Sequence, residues 1–277
     1  MLVRSGRRRA PAVAVHLVLA LLALAFAAPL LWLFTASLDA SAGARASVPR
    51  LTGAHFTAVL SWRSGGRPLW NGLLLCGGAT ALTVVSATLC AYPLSRYQLR
   101  FRRPLLYTLL LATGLPLTAI MVPVYGLFVR LDLIDSRVGT TVFLSATALP
   151  FAIWMTKNYL DGVPLELEEA AWTDGATPTR ALRSVVLPLM APGVAVVSTF
   201  VFVSLWGNFF VPFVLLLDPA KQPAAVGVLS YFGQRGMAAY GQLAAYSLVY
   251  TTPVVLLYLL VSRALGAGFS FAGAMRA

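Results

Sequence analysis

Charge is what this sequence has least of. Only 11% of its 277 residues are Asp, Glu, Lys or Arg, where soluble globular domains carry about 25%. That deficit excludes an ordinary water-facing surface. Acids are scarcest: Asp and Glu number nine, and the three glutamates, Glu166, Glu168 and Glu169, stand together. Lysine occurs only at Lys157 and Lys221, and neither has the glycine frame of a phosphate-binding loop, which excludes an ATPase site of that kind. His16 and His55 are isolated, and no His-x-x-x-His or Cys-x-x-Cys pair exists, so no metal site is expected. Cys76 and Cys90 lie in one apolar run. Fourteen residues on a helix span roughly 21 Å, too far for a disulfide within it. With no cluster of His, Asp or Cys, no catalytic residue is assigned.

What the chain has instead is apolar length. It is 59% hydrophobic, with mean hydropathy +0.80, and several runs approach 20 residues, enough to cross a bilayer as helix. The net charge of +12 would suggest nucleic acid in a soluble protein. Here the arginines cluster at the ends of apolar runs, where they orient membrane helices. The expectation is an all-α integral membrane protein, one domain over 1–277, with approximate spans 12–34, 71–94, 104–129, 138–159, 189–217 and 243–261.

Arg4, Arg7, Arg8 and Arg9 precede the first run. Basic then apolar residues, with Ala25-Phe26-Ala27, resemble a signal peptide, but the run is long enough to span, so a retained helix is expected. The next stretch, to about Leu69, carries Pro49, Gly53, Gly65, Gly66 and Pro68, which break long elements. It reads as an outer loop with a short helix near Thr52–Leu60. The second span is rich in small residues such as Gly72, Gly77 and Gly78, which let helices approach in lipid. It ends in the basic turn Arg96–Arg103. Pro116 and Pro123 kink the third span; it is either a packing helix or one lining a pathway. Gly207 and Pro212 offer bends in the fifth. Thirteen Lys and Arg then fall on the inner side and eight on the outer, although the outer segments are longer. That supports cytoplasmic N- and C-termini.

Residues 160–188 form the exceptional loop. Pro164 suits a first helical turn, and Leu165–Thr173 are good helix formers with acids in the first half, where the helix dipole favours them. Gly175 sits as a helix C′ residue. Thr177-Pro178 reads as cap and first position of a second short helix, ended by Pro188. The acids point to a water-exposed surface. Ala170, Ala171 and Trp172 supply a compact apolar face that fits a groove in a partner protein. A helix lying on lipid would want a basic polar face instead.

Glu169-Ala170-Ala171, Gly175, Val185 and Leu187-Pro188, at these spacings, resemble the EAA motif of permease subunits of ATP-binding-cassette importers; Val185 stands where isoleucine is usual. Tyr92-Pro93-Leu94-Ser95-Arg96-Tyr97, Pro123-Val124-Tyr125, Trp206-Gly207-Asn208-Phe209-Phe210-Val211-Pro212 and Gly273-Ala274 are similar to the carbohydrate-importer branch, specifically to the second maltose-type permease. Phe209 replaces the usual Glu, and Gly207 is interposed.

The resemblance implies a type I importer permease fold with a coupling helix between spans four and five. It implies a multi-pass subunit of a bacterial cytoplasmic membrane, forming half of a translocation pathway for a sugar or sugar derivative. Partners would be a second permease as a heterodimer, two ATPase subunits, an extracytoplasmic solute-binding protein and membrane lipid, with no nucleic acid. This chain would carry no cofactor; ATP and Mg would sit on the ATPase. Docking would fall to Glu169, Ala170, Ala171, Trp172, Asp174, Gly175, Leu187 and Pro188, with Glu169 as polar contact or local cap. Asn208 would meet a sugar hydroxyl or a neighbouring helix. Trp206 and Tyr125 would stack on a sugar ring or simply pack. Two alternatives stand beside this: a self-sufficient secondary transporter, and an importer permease for a non-sugar solute. The first would normally place acids at the midplane, and no Asp or Glu falls inside an expected span.

Overall fold

The computed structural model describes residues 9–43, 50–233 and 238–274. The Arg4–Arg8 arginines, Arg45, Arg235 and Arg276 of the charge tally lie outside them, and so does Pro49. Among the described residues the regular structure is helical: α1 (Arg9–Ser37), α2 (Ala54–Val59), α3 (Arg67–Arg96), α4 (Arg102–Thr113), α5 (Leu117–Arg130), α6 (Arg137–Asp161), α7 (Glu166–Thr173), α8 (Pro178–Ala181), α9 (Leu187–Trp206), α10 (Phe210–Leu215), α11 (Ala224–Gly227) and α12 (Tyr240–Ala274). Among the described residues five helical stretches are long and apolar enough to cross a membrane, and α4 with α5 makes a sixth if the bent pair counts as one span.

The chain divides into two compact units. The first holds residues up to Gly65 and Val228–Tyr250. In it Asp39 is buried and its carboxylate accepts from the backbone N–H of Ser41 and of Arg50. Gly241 lies against the His55 ring in this unit: a Cβ there would lie 2.3 Å from His55 Nε2, so the imidazole would have to move. The expected short helix is present as α2.

The second unit holds Gly66–Gly227 and the remainder of α12. Its core is α3, which packs against α6 and α9. The small residues of α3 permit this: Ala79, Ala87 and Ala91 are fully buried. Thr83 donates to Ser145 Oγ of α6 at 3.0 Å, so the contact joins hydroxyls as well as apolar surface. Gly193 of α9 is equally constrained, because a Cβ would meet the Tyr159 ring at 2.6 Å.

Three expectations are corrected here. Pro68 does not break the second span; it lies in the first turn of α3, where its missing N–H costs no hydrogen bond. The third span is not one kinked helix: α4 and α5 meet at 94° across Gly114–Pro116. Pro116 is extended, with φ −66° and ψ 120°, which no continuous helix accommodates. Pro188 does not end the helix it follows. A π-turn over Leu182–Val186, closed by Leu187 N–H on Leu182 O, carries the chain into α9. The widened turn accommodates the hydrogen bond that proline lacks.

Candidate functional site

The loop between α6 and α9 folds largely as its local chemistry dictates. Helix α7 ends in a full Schellman motif: Ala176 N–H donates to Ala171 O at 2.9 Å and Gly175 N–H to Trp172 O at 3.0 Å. Gly175 takes φ +86°, the left-handed conformation this cap requires. The Thr177 hydroxyl then accepts from Arg180 N–H and Pro178 opens α8.

Three elements close beneath the hairpin. Tyr92 from α3, Leu160 and Val163 from the end of α6, and Val186 and Met190 from the π-turn and α9 form one apolar cluster. Above it, Glu169, Ala170, Thr173, Asp174 and Gly175 are exposed. Trp172 is 36% exposed, so a bulky indole is presented outward rather than used in the core. Ala171 and Leu187 are half-buried and Pro188 is exposed. Of the expected docking residues, the structure thus leaves Glu169, Ala170, Trp172, Asp174, Gly175 and Pro188 open to contact, and Ala171 and Leu187 partly so.

It separates the glutamates, however. Glu166 and Glu169 face outward, but Glu168 is fully buried. The expectation that all the acids serve an exposed surface is corrected on this point. Glu168 Oε1 pairs with Arg96 Nε, and its Oε2 accepts from the Tyr92 hydroxyl at 3.0 Å. Arg96 Nη2 also donates to Val163 O at 3.0 Å. Nearby, Asp161 pairs with Lys157, accepts from the Ser95 hydroxyl, and faces Arg102 at 4.0 Å. The loop therefore lies at the same end of the bundle as the Arg96–Arg103 turn. Sequence reasoning noticed Arg96 and Tyr92 but not their partner. No local pattern links residues 72 positions apart.

A second feature sits in the middle of this unit. A cavity of about 410 Å³ opens beside the α4–α5 break. Its wall mixes apolar groups such as Leu117, Ile120 and Phe143 with Thr113, Thr147, Ser204 and Asn208. Asn208 lies between α9 and α10, and its Oδ1 accepts from Val211 N–H at 3.1 Å, fixing the amide at the wall. Trp206 is buried, stacks on Phe202 and covers Gly72, where a Cβ would lie 3.1 Å from the indole. Tyr125 is 39% exposed and does not line the cavity. Of the three expected pathway residues, the fold brings only Asn208 to the cavity. Its wall hydroxyls escaped the sequence reading because isolated Ser and Thr in apolar runs carry no spacing signal. Among the described residues no group of His, Cys, Asp and Glu is arranged to hold a metal ion.

The family model described as "Binding-protein-dependent transport system inner membrane component" matches residues 79–267. A maltose/maltodextrin transport system permease protein of Vibrio vulnificus is 30% identical over 220 residues, covering 78% of this chain and 72% of that protein. A diacetylchitobiose uptake system permease protein of Streptomyces coelicolor is 29% identical over 272 residues, covering 96% and 89%. Among solved structures, a bacterial ABC transporter involved in the import of the acidic polysaccharide alginate superposes with TM-score 0.81 at 21% identity, covering 95% of this chain and 99% of that one.

Proposed function

We infer the function from one premise: the chain belongs to the family of binding-protein-dependent transport system inner membrane components. It is a transport subunit of a membrane, and not a catalytic one. The reading we add is how it is driven and what it passes. The 160–188 loop is the dock for an ATPase subunit, with Glu169, Ala170, Trp172, Asp174 and Gly175 as its contact face and Ala171, Leu187 and Pro188 as its frame. ATP and Mg belong to that partner. Two ATPase subunits, a second permease in a heterodimer and an extracytoplasmic solute-binding protein complete the machine. The loop and both termini face the cytoplasm.

One observation carries this reading. A short helix closed at its C-terminal end by a Schellman motif is fastened to α3 by a buried ion pair, with the Trp172 indole and Ala170 left uncovered. Such a surface is pre-organised for a protein groove. The solute is a sugar. The relatives from Vibrio and Streptomyces support this by what their names say they carry, and a cavity of mixed hydroxyl, amide and apolar lining suits a neutral polyol.

Co-expression with the cognate ATPase and second permease tests the assignment. A complex that hydrolyses ATP and co-purifies through this chain is expected. In proteoliposomes, with the binding protein supplied, it should take up radiolabelled maltose or diacetylchitobiose only when ATP is enclosed. Uptake by this chain alone, without an ATPase, sinks the reading.

A further inference from the structure

Beyond the docking face itself, the loop contains one charged group that no partner can reach. Glu168 is fully buried, and the side chain of its partner Arg96 is 7% exposed. A buried ion pair is poor evidence of stabilisation, since desolvation consumes most of the attraction and well-packed apolar residues serve as well. What such a pair supplies is direction. Charge-assisted hydrogen bonds hold both groups in one mutual orientation. Here the carboxylate is held on both oxygens, by Arg96 and by Tyr92. Arg96 reaches in addition to the carbonyl of Val163, just before the loop. Ser95, its neighbour, bonds to Asp161. One turn of α3, Tyr92 to Arg96, is thus fastened to the start of the loop and to α7 within it.

We propose that Glu168 and Arg96 form the positioning joint through which displacement of the loop is delivered along α3. The proposal rests on the reading of the loop as an ATPase dock. The geometry makes α3 the receiver. It is a single helix of 30 residues, and from Arg96 to Trp70 at its other end it extends roughly 39 Å at 1.5 Å per residue. A rigid element fixed at one end carries a displacement to the other. Glu169, one residue on, is exposed and meets the partner directly; Glu168 meets only this chain's own helix.

The test uses the assembled complex, with Cys90→Ser throughout and Trp70→Cys as reporter, Trp70 being 53% exposed. Labelling by a membrane-impermeant maleimide is timed with and without trapping by ATP and vanadate. Trapping is expected to change the labelling rate in the otherwise wild-type chain. In Glu168→Gln the ATPase should still co-purify, while the change per assembled complex shrinks by about fivefold or more, the lower end of ordinary coupling strengths. Glu168→Asp, which keeps the charge, should restore part of it. A purely structural role would lower the amount of complex but leave the response of each complex intact.

A full response in Glu168→Gln overturns the joint, and so does a wild-type complex whose labelling ignores trapping. If Glu168→Gln does not assemble, Tyr92→Phe, which removes a single hydroxyl bond, takes its place. A response equal to wild type there overturns the proposal as well. An ATPase that fails to co-purify even with the wild-type chain overturns the docking reading, and the joint with it. One that co-purifies while Glu168→Gln keeps its response overturns the joint alone.

Discussion

At the scale of single residues, two glycines show different uses of a missing side chain. At Gly175 there is open space around the position a Cβ would take, so only φ +86° restricts it. Asn tolerates that conformation and a β-branched residue does not. Gly175→Val should therefore strain the hairpin by about 1–3 kcal/mol and reduce ATPase co-purification, with membrane insertion unchanged. Gly175→Asn should retain most of the complex. Equal loss in both would show that something other than φ is at stake. At Gly193 the constraint is contact: a Cβ would press on three atoms of Tyr159. Gly193→Ala should cost about 1–3 kcal/mol, as overpacking does. The double variant with Tyr159→Ala, which removes the two ring atoms but keeps Cβ, should recover part of it in thermal unfolding of the detergent-purified chain.

At the scale of elements, helices here begin and turn where local chemistry says, and pass through positions where it forbids continuation. The Thr177 cap is exposed and its bond to Arg180 N–H is 3.3 Å. Thr177→Ala should cost about 0.5 kcal/mol, near the low end for lost caps, and shift the unfolding midpoint only slightly. A large shift would mean that the cap holds the whole Pro178–Trp206 stretch. The α4–α5 break, by contrast, creates space. Thr113 and Leu115 at the bend, and Leu117 and Ile120 just beyond it, line the cavity beside this 94° turn.

For the whole molecule, the loop and the Arg96–Arg103 turn share one end of the bundle because Arg96 binds Glu168 and Ser95 binds Asp161. Glu166→Cys and Arg100→Cys should therefore react with impermeant maleimide from the same membrane face, and Lys221→Cys from the other. Opposite faces for the first two would contradict the helix packing. The cavity makes a second prediction. Ser204→Leu, at its wall, should cut ATP-driven sugar uptake several-fold, because adding methylenes leaves less room for a hydrated ring. ATPase co-purification should hold, since Ser204 lies in α9 away from the hairpin. Loss of both together would make the variant a folding defect and the cavity irrelevant to flux.

Local patterns carried a long way in this protein. The apolar runs, the short helix after the first of them, the two capped helices of the loop and the left-handed Gly175 were all legible before any coordinates. Each depends on residues a few positions apart, and lipid exposure leaves little choice but helix. What the amino-acid order could not decide is which face of an element meets another. Glu166, Glu168 and Glu169 look alike in sequence; only the approach of α3 buries the middle one against Arg96. Trp206 is drawn inward because Gly72, far along the chain, leaves room for an indole. Pro188 is absorbed by a π-turn whose Val186 is anchored in the apolar cluster. Caps, turns and span lengths are short-range matters set by neighbours in the chain. Burial is a long-range one, settled only when helices distant in sequence compete for the same space.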